Sequence, residues 1–292
     1  MLVHLKDLVK ESKKKGYALG AFNITNFESV LGVAEAAVKA SSPAIIQVSE
    51  SAIKYMGLKP ITHLVSTVAK NVAAKVPIAL HLDHGSSFDT VFECISSGFS
   101  SVHIDASNLP LDENINLTKQ VVKVAHARRV WVQGEVGAII GSHDKNIKSR
   151  LKDIPLAKLD EVVKFVRETK VDTIAAAIGT AHGLHVNEDI VFSLLKAIKD
   201  KVKIPFVLHG GSGVLDGKIK KAIREGVNII NVGTDLKVAF CRALIRVCLK
   251  NKRETDPRNL LKPTIAAVEK VVFGKMKLFG SAGRAVASRI ET

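Results

Sequence analysis

Val76-Pro77-Ile78-Ala79-Leu80-His81-Leu82-Asp83-His84-Gly85 is an apolar run that ends abruptly in a carboxylate, an imidazole and a glycine. Such a run fits a strand buried on both faces of a parallel sheet, surfacing at a reactive end. Asp83 and His84 are both costly to bury without partners, so their place where the strand stops marks a candidate site. Alternation along a strand predicts that the two side chains leave on opposite sides and serve different roles at one mouth. Read alone, the stretch also fits an Asp that caps the next helix beside a solvated His.

Outward from this stretch, short apolar runs alternate with longer segments of helical period. Strands are predicted at Ala18–Asn23, Ala44–Ser49, Pro77–Asp83, Ser101–Asp105, Val130–Gly137, Thr173–Gly179, Pro205–His209 and Asn228–Gly233. Helices are predicted at Asn26–Ala40, Ile61–Lys75, Phe88–Ser97, Leu111–Arg128, Pro155–Thr169, Asn187–Lys201 and Leu215–Glu225. The repeat predicts an α/β fold, a (β/α)8 TIM barrel, with residues 1–292 as one domain. Val3–Lys15 reads as an extra N-terminal helix, and the chain after about Pro257 as a helical C-terminal tail. The runner-up is an open doubly wound sheet. That fold places a glycine-rich turn after its first strand, and Ala21-Phe22-Asn23 has none. Gly137–Ile154, polar and basic, is the least regular stretch and reads as a lid or a disordered loop.

Forty-three Lys and Arg against 28 Asp and Glu leave a net charge of +15, compatible with nucleic acid or with phosphorylated metabolites. The positive charge is spread over helical stretches such as Lys13-Lys14-Lys15 and Lys220-Lys221, with few aromatics among them to stack on bases, so no dedicated nucleic-acid partner is expected. No apolar run approaches the roughly 20 residues of a membrane span. Met1-Leu2-Val3-His4-Leu5-Lys6 lacks the basic-then-apolar layout of a signal peptide, so the expected compartment is the cytoplasm. Cys94, Cys241 and Cys248 lack paired ligand spacing and read as reduced, mostly buried thiols.

In a barrel, the C-terminal strand ends carry the site. Those ends hold Asn23, Ser49, Asp83 and His84, Asp105, Glu135, His182 and Gly183, His209 to Gly213, and Asn231 to Asp235. His84, His182 and His209 follow the third, sixth and seventh strands, and three imidazoles with an open fourth position describe a catalytic zinc site. Each alone also reads as a helix cap or a half-exposed histidine. Gly210-Gly211-Ser212-Gly213 and Gly233-Thr234, after strands seven and eight, occupy the barrel position for a phosphate. His4, His63 and His126 read as surface residues, and His81 and His103 as hydrogen-bonded residues of the core or barrel lining.

His81-Leu82-Asp83-His84-Gly85, Ile178-Gly179-Thr180-Ala181-His182-Gly183, Val207-Leu208-His209-Gly210-Gly211-Ser212-Gly213 and Ile230-Asn231-Val232-Gly233-Thr234-Asp235 stand in the order of a known family's motifs. The chain resembles the class II, metal-dependent ketose-bisphosphate aldolases, which cleave fructose or tagatose 1,6-bisphosphate. The likeness runs from Ala21-Phe22-Asn23 to Gly280-Ser281-Ala282-Gly283-Arg284. It implies that His84, His182 and His209 hold zinc, that Asp83 exchanges a proton with the C4 hydroxyl, and that Asp105 and Glu135 belong to an alternative metal position. It implies that Gly183, Gly210, Ser212, Asn231 and Thr234 cradle the dihydroxyacetone-phosphate half, where a monovalent cation, Na+ or K+, is a second candidate ion. Asn23, Gly211 and Gly233 complete the candidate substrate contacts, and Ser49 resembles a residue near the other phosphate. Arg258 resembles an arginine that reaches into a neighbouring subunit, which implies a homodimer or homotetramer.

The departures bear on substrate. His143 stands where the family has a glutamate that handles the C3 proton, so that role is kept by His143, moved to Asp144, or lost. Gly233 stands where fructose-specific members often carry Asp and tagatose-type members a small residue, a tilt toward the tagatose branch. The competing readings are a related aldolase of inositol catabolism and a non-catalytic phosphosugar-binding protein.

Overall fold

Eight strands pair in parallel and close on themselves in chain order: β1 (Leu19–Asn23), β2 (Ala44–Ser49), β3 (Ile78–Gly85), β4 (Ser101–Ile104), β5 (Trp131–Val136), β6 (Thr173–Ala176), β7 (Phe206–Leu208) and β8 (Val227–Val232). β1 pairs with both β2 and β8, which excludes the open doubly wound sheet. The computed structural model describes residues 1–139, 155–181, 183 and 189–285. Among them are eleven helices: α1 (Leu5–Lys15), α2 (Phe27–Ala40), α3 (Glu50–Met56), α4 (Leu58–Asn71), α5 (Phe88–Ser96), α6 (Leu111–Ala127), α7 (Leu159–Thr169), α8 (Phe192–Lys201), α9 (Asp216–Arg224), α10 (Thr234–Lys250) and α11 (Pro257–Phe279). The chain is a (β/α)8 barrel with the expected extra helix at its start and a helical tail. None of these helices is long and apolar enough to cross a membrane.

The barrel has two ends with different chemistry, and the inward residues decide which is which. Toward the N-terminal end, Leu19, Ala21, Ile45, Ala79, Ala175, Val207 and Ile229 form one apolar cluster with Leu5, Leu8 and Val9 of α1. Small alanines on three strands leave room that the α1 side chains fill, so α1 is the plug of that end. Its register is fixed by His4, whose ring accepts the Lys6 N–H, and by Gly16 in the left-handed region at its C-cap. Leu5 is 1% exposed. Leu5→Ala is therefore expected to destabilise the fold by about 2–4 kcal/mol, read as a lowered urea midpoint at unchanged slope.

Three expectations are corrected. The helix predicted at Ile61–Lys75 is α4, which starts at Leu58 and ends at Asn71, and a further helix, α3, precedes it, separated from it at Gly57, whose φ of 82° an L-residue side chain disfavours. The seven-residue α3 was missed because it is too short to show a period, although Ser49 caps it by accepting the Ala52 N–H. The cysteines are mostly exposed: Cys94 is buried, whereas Cys241 and Cys248 are exposed on α10. Among the described residues of α10 only Leu236 is buried, and Ile245 and Leu249 are 58% and 66% exposed.

The third correction concerns the stretch that decides the fold. Leu82 pairs with Val102 and Gly85 with Ile104, so three steps along β3 match two along β4. The extra residue is a bulge, and His84 adopts a φ of 50° within it. Simple alternation fails there. The bulge turns His84 back toward the mouth, and its Nε2 lies 3.8 Å from Asp83 Oδ1.

Candidate active site

At the C-terminal end, the inward positions that are apolar below become polar. Stepping by two along the strands brings Asn23, Gln47, His81 and Asp83, Ser101 and His103, Gln133 and Glu135, and Asn231 to this end of the barrel, joined by His209 just beyond β7. All except half-buried Asn23 are nearly excluded from water, so their hydrogen bonds must close among themselves. Gln47 donates to Asn23 Oδ1 (3.0 Å), and Asn23 Nδ2 donates to Asp83 Oδ2 (2.7 Å). Asn231 Nδ2 reaches Asp83 Oδ1 at 3.5 Å. His81 meets the Ser101 hydroxyl at 2.9 Å, as expected for a lining histidine.

The imidazoles converge beside this chain of amides. His84 Nδ1 donates to Asp105 Oδ2 (2.6 Å), which turns His84 Nε2 toward His209 Nδ1, 3.1 Å away. The Nε2 of His209 is held between the side-chain amides of Gln133 (2.8 Å) and Asn231 (3.2 Å). Ser107 links the carboxylates, its hydroxyl lying 2.7 Å from Asp105 Oδ1 and 3.0 Å from Glu135 Oε1.

Burial works to raise the Asp83 pKa, yet His84, the Asn23 amide and His103 together hold it below the ordinary carboxylate range. Burial works against charging His84, but Asp83, Asp105 and Glu135 outweigh it and raise its pKa to about 10. Burial, then the charge of Asp105, push Glu135 up to about 8. Among the described residues no Lys or Arg pairs with these three carboxylates. One imidazolium is a poor counter-charge for the ionised Asp83 and Asp105 with the Glu135 carboxyl beside them, and a divalent cation bound here would meet the deficit.

The donor set fits one. Asp83, His84, His103 and His209 form one group whose ligand atoms lie within 4.8 Å of each other, and His84, His103, Asp105 and Glu135 form a second. Imidazole with carboxylate suits zinc and its neighbours in the first transition row. The bond from His84 Nδ1 to Asp105 is the orientation that turns Nε2 into the cluster, where it could ligate.

On the phosphate side, Gly210 has a φ of 73°, and a methyl group added there would run into the Ala181 carbonyl oxygen. Gly210→Ala is expected to cost about 2 kcal/mol or more, from the left-handed backbone and the collision together, measured by thermal or urea unfolding. Ser212 Oγ accepts the Asp235 N–H (3.2 Å), tying this loop to the first turn of α10, which begins at Thr234. A Cβ at Gly233 would lie 3.0 Å from Asn23 Oδ1, so the small residue there protects the amide that holds Asp83.

Of the residues singled out in the sequence, Asn23, Asp83, His84, Asp105, Glu135, His209 and Asn231 are brought together. Gly210, Gly211, Ser212, Gly233 and Thr234 form the adjoining loop and helix start. His143, Asp144 and His182 lie outside the described residues; Gly183 is buried with a φ of 135°. Ser49 caps α3 and lies 2.9 Å from Ser51 Oγ. Arg258 is exposed and pairs with Asp256 at the start of α11. His103 corrects its reading in part: it lines the barrel as expected, but its Nε2 has no hydrogen-bond partner among the described residues. Sequence reading passed over Gln47 and Gln133, which sit two residues before Ser49 and Glu135. The alternation that places one inward-facing residue at a strand end also places the one two before it.

Fold and mouth define a (β/α)8 barrel with a candidate metal site, and comparison with known proteins makes it an enzyme of the aldolase kind, a lyase. The family model described as fructose-bisphosphate aldolase class-II matches residues 3–284, and the chain belongs to that family. It is 39% identical over 286 residues to the fructose-bisphosphate aldolase of Geobacillus stearothermophilus, covering 97% of this chain and 99% of that one. It is also 39% identical over 290 residues to the 6-phospho-5-dehydro-2-deoxy-D-gluconate aldolase of Bacillus subtilis (strain 168), covering 99% of each. Among solved structures, the YdjI aldolase of Escherichia coli K12 superposes with a TM-score of 0.84 at 31% identity, over 98% of this chain and all of that one.

Proposed function

We propose that the chain reversibly cleaves a ketose 1,6-bisphosphate, tagatose or fructose, to dihydroxyacetone phosphate and glyceraldehyde 3-phosphate. The observation that carries this reading is the Asp83 carboxylate, held by Asn23 and Asn231 at one edge of an imidazole cluster. A Zn2+ bound there supplies Lewis acidity to the substrate carbonyl and stabilises the negative charge that C3–C4 cleavage leaves. His84 and His209 would hold it, with His182 as the third ligand implied by the sequence and Asp105 and Glu135 as the alternative position.

Asp83 takes the proton of the C4 hydroxyl as the bond breaks and returns it in the condensation direction. Its depressed pKa keeps it ionised for that purpose, and the amide of Asn23 fixes which oxygen faces the sugar. Gly183, Gly210, Gly211, Ser212, Asn231, Gly233 and Thr234 bind the dihydroxyacetone-phosphate half, where backbone N–H groups and the start of α10 favour a phosphate. A monovalent cation, Na+ or K+, belongs to the same region, and Ser49 to the distal phosphate. His143 or Asp144 serves the C3 proton.

The whole chain acts as one domain in the cytoplasm, as a homodimer or homotetramer. The exposed Ile245 and Leu249 of α10 support self-association, and Arg258, free of the barrel, is available to reach a neighbouring copy.

Equal identity to the phosphodeoxygluconate aldolase favours a second reading, cleavage of that keto-sugar phosphate with the same metal and phosphate loop. A coupled assay of zinc-loaded protein on all three sugars, beside a chelated control, separates the two. Metal-dependent turnover of a bisphosphate supports the first reading, and the ratio of the two bisphosphates assigns the branch. Turnover confined to phosphodeoxygluconate moves the assignment to the second, and silence on all three with metal bound overturns both.

A further inference from the structure

His103 is 0% exposed, and neither its Nε2 nor Glu135 Oε2 has a hydrogen-bond partner among the described residues. The two orphaned atoms face one another across 3.8 Å. Leaving such a pair unmatched in a barrel interior is costly, so a donor, a cation or both must complete it. The backbone N–H of His84 donates to His103 Nδ1 (3.3 Å), which places the proton of the neutral ring on Nε2. Nε2 is thus a donor aimed at a carboxylate oxygen, and less than 1 Å of movement makes the bond.

That same oxygen lies 3.9 Å from His209 Nδ1. Glu135 Oε1 is already engaged by the Ser107 hydroxyl (3.0 Å) and the Ile139 N–H (3.4 Å), so Oε2 alone remains to be assigned. The two groups of candidate ligands share His84 and His103 and differ in whether Asp83 and His209, or Asp105 and Glu135, complete them. His103 sits where the two positions overlap.

We infer that His103 is a positioning residue for the metal: its Nε2–H and the metal compete for one oxygen of Glu135. By holding that oxygen, His103 keeps the metal on the His84 and His209 side, next to Asp83. Without the donor, Glu135 Oε2 takes the metal as its partner and draws it toward Asp105, away from the group that handles the C4 proton. The inference rests on the metal-dependent reading above, and its test is read on the metal itself.

The parent chain, His103→Met and His103→Gln are loaded with Co2+ in place of zinc, and the visible spectrum is taken without substrate. Methionine keeps similar bulk and has no donor, whereas glutamine presents an amide N–H at similar reach. His103→Met is expected to bind cobalt at the parent's stoichiometry with a weaker visible band, as carboxylate oxygens join the coordination. Its kcat falls about tenfold or more with KM within about threefold, the size typical of losing an outer partner of a metal site. His103→Gln restores both the band and kcat. If His103→Met does not fold, His103→Leu, which also has no donor, takes its place. An unchanged spectrum in the donor-less variant overturns the inference. So does a His103→Gln spectrum altered as much as that of His103→Met, which assigns the ring as a direct ligand instead. A parent chain that takes up no cobalt overturns the metal reading beneath it.

Discussion

Asp83→Ala is expected to lower kcat by about 10³-fold, within the range that one positioned acid/base contributes, while the chain still binds its metal. The carboxylate is 5% exposed, and its two oxygens are met by Asn23 at 2.7 Å and Asn231 at 3.5 Å. Both amides are neutral donors, so they fix the orientation of Asp83 and leave it free to accept a proton. Removing the carboxylate takes away the acceptor for the C4 hydroxyl and nothing from His84 Nδ1, which stays bonded to Asp105. Asp83→Asn is the control for shape, since it keeps the volume and cannot take the proton. It should be as inactive as the alanine variant and bind substrate more nearly like the parent. Single-turnover cleavage with metal content measured on the same sample decides the matter. Full activity in either variant removes Asp83 from the chemistry.

The barrel was legible because parallel strands covered on both faces read as unbroken apolar runs, and every predicted strand overlaps an observed one. α10 was not, since its apolar residues Ile245 and Leu249 lie on an exposed face and its period does not report a core. α3 is too short for a period to show. At the site, the strand ends pointed to Asp83, His84, Asp105, Glu135 and His209, which the fold brings together, because in a barrel the chemistry gathers where strands stop. The bulge at His84 left no mark in the sequence: one extra residue changes no composition, yet it brings His84 to the same side as Asp83. The inward amides Gln47 and Gln133 were readable by stepping back two residues, and His103 lay in view but had been assigned to ordinary lining.

His209→Ala should separate metal binding from proton transfer in the opposite sense. His209 is 1% exposed, and its Nδ1 and His84 Nε2 converge to 3.1 Å. Without it, a metal keeps His84 and whatever the third strand-end histidine provides, and affinity should fall by on the order of 100-fold or more, at least the loss seen for mere outer partners. The amides of Gln133 and Asn231 lose their partner as well, a cost of about 1–3 kcal/mol in stability, which lowers the melting temperature without unfolding the barrel. Competition with a chromogenic chelator reads the first effect and thermal unfolding the second. The two variants then divide the site: Asp83→Ala holds metal and does not turn over, whereas His209→Ala fails at both and is only partly rescued by excess zinc. If His209→Ala retained the parent's metal affinity, His209 would not be a ligand, and the metal would lie in the group of His84, His103, Asp105 and Glu135.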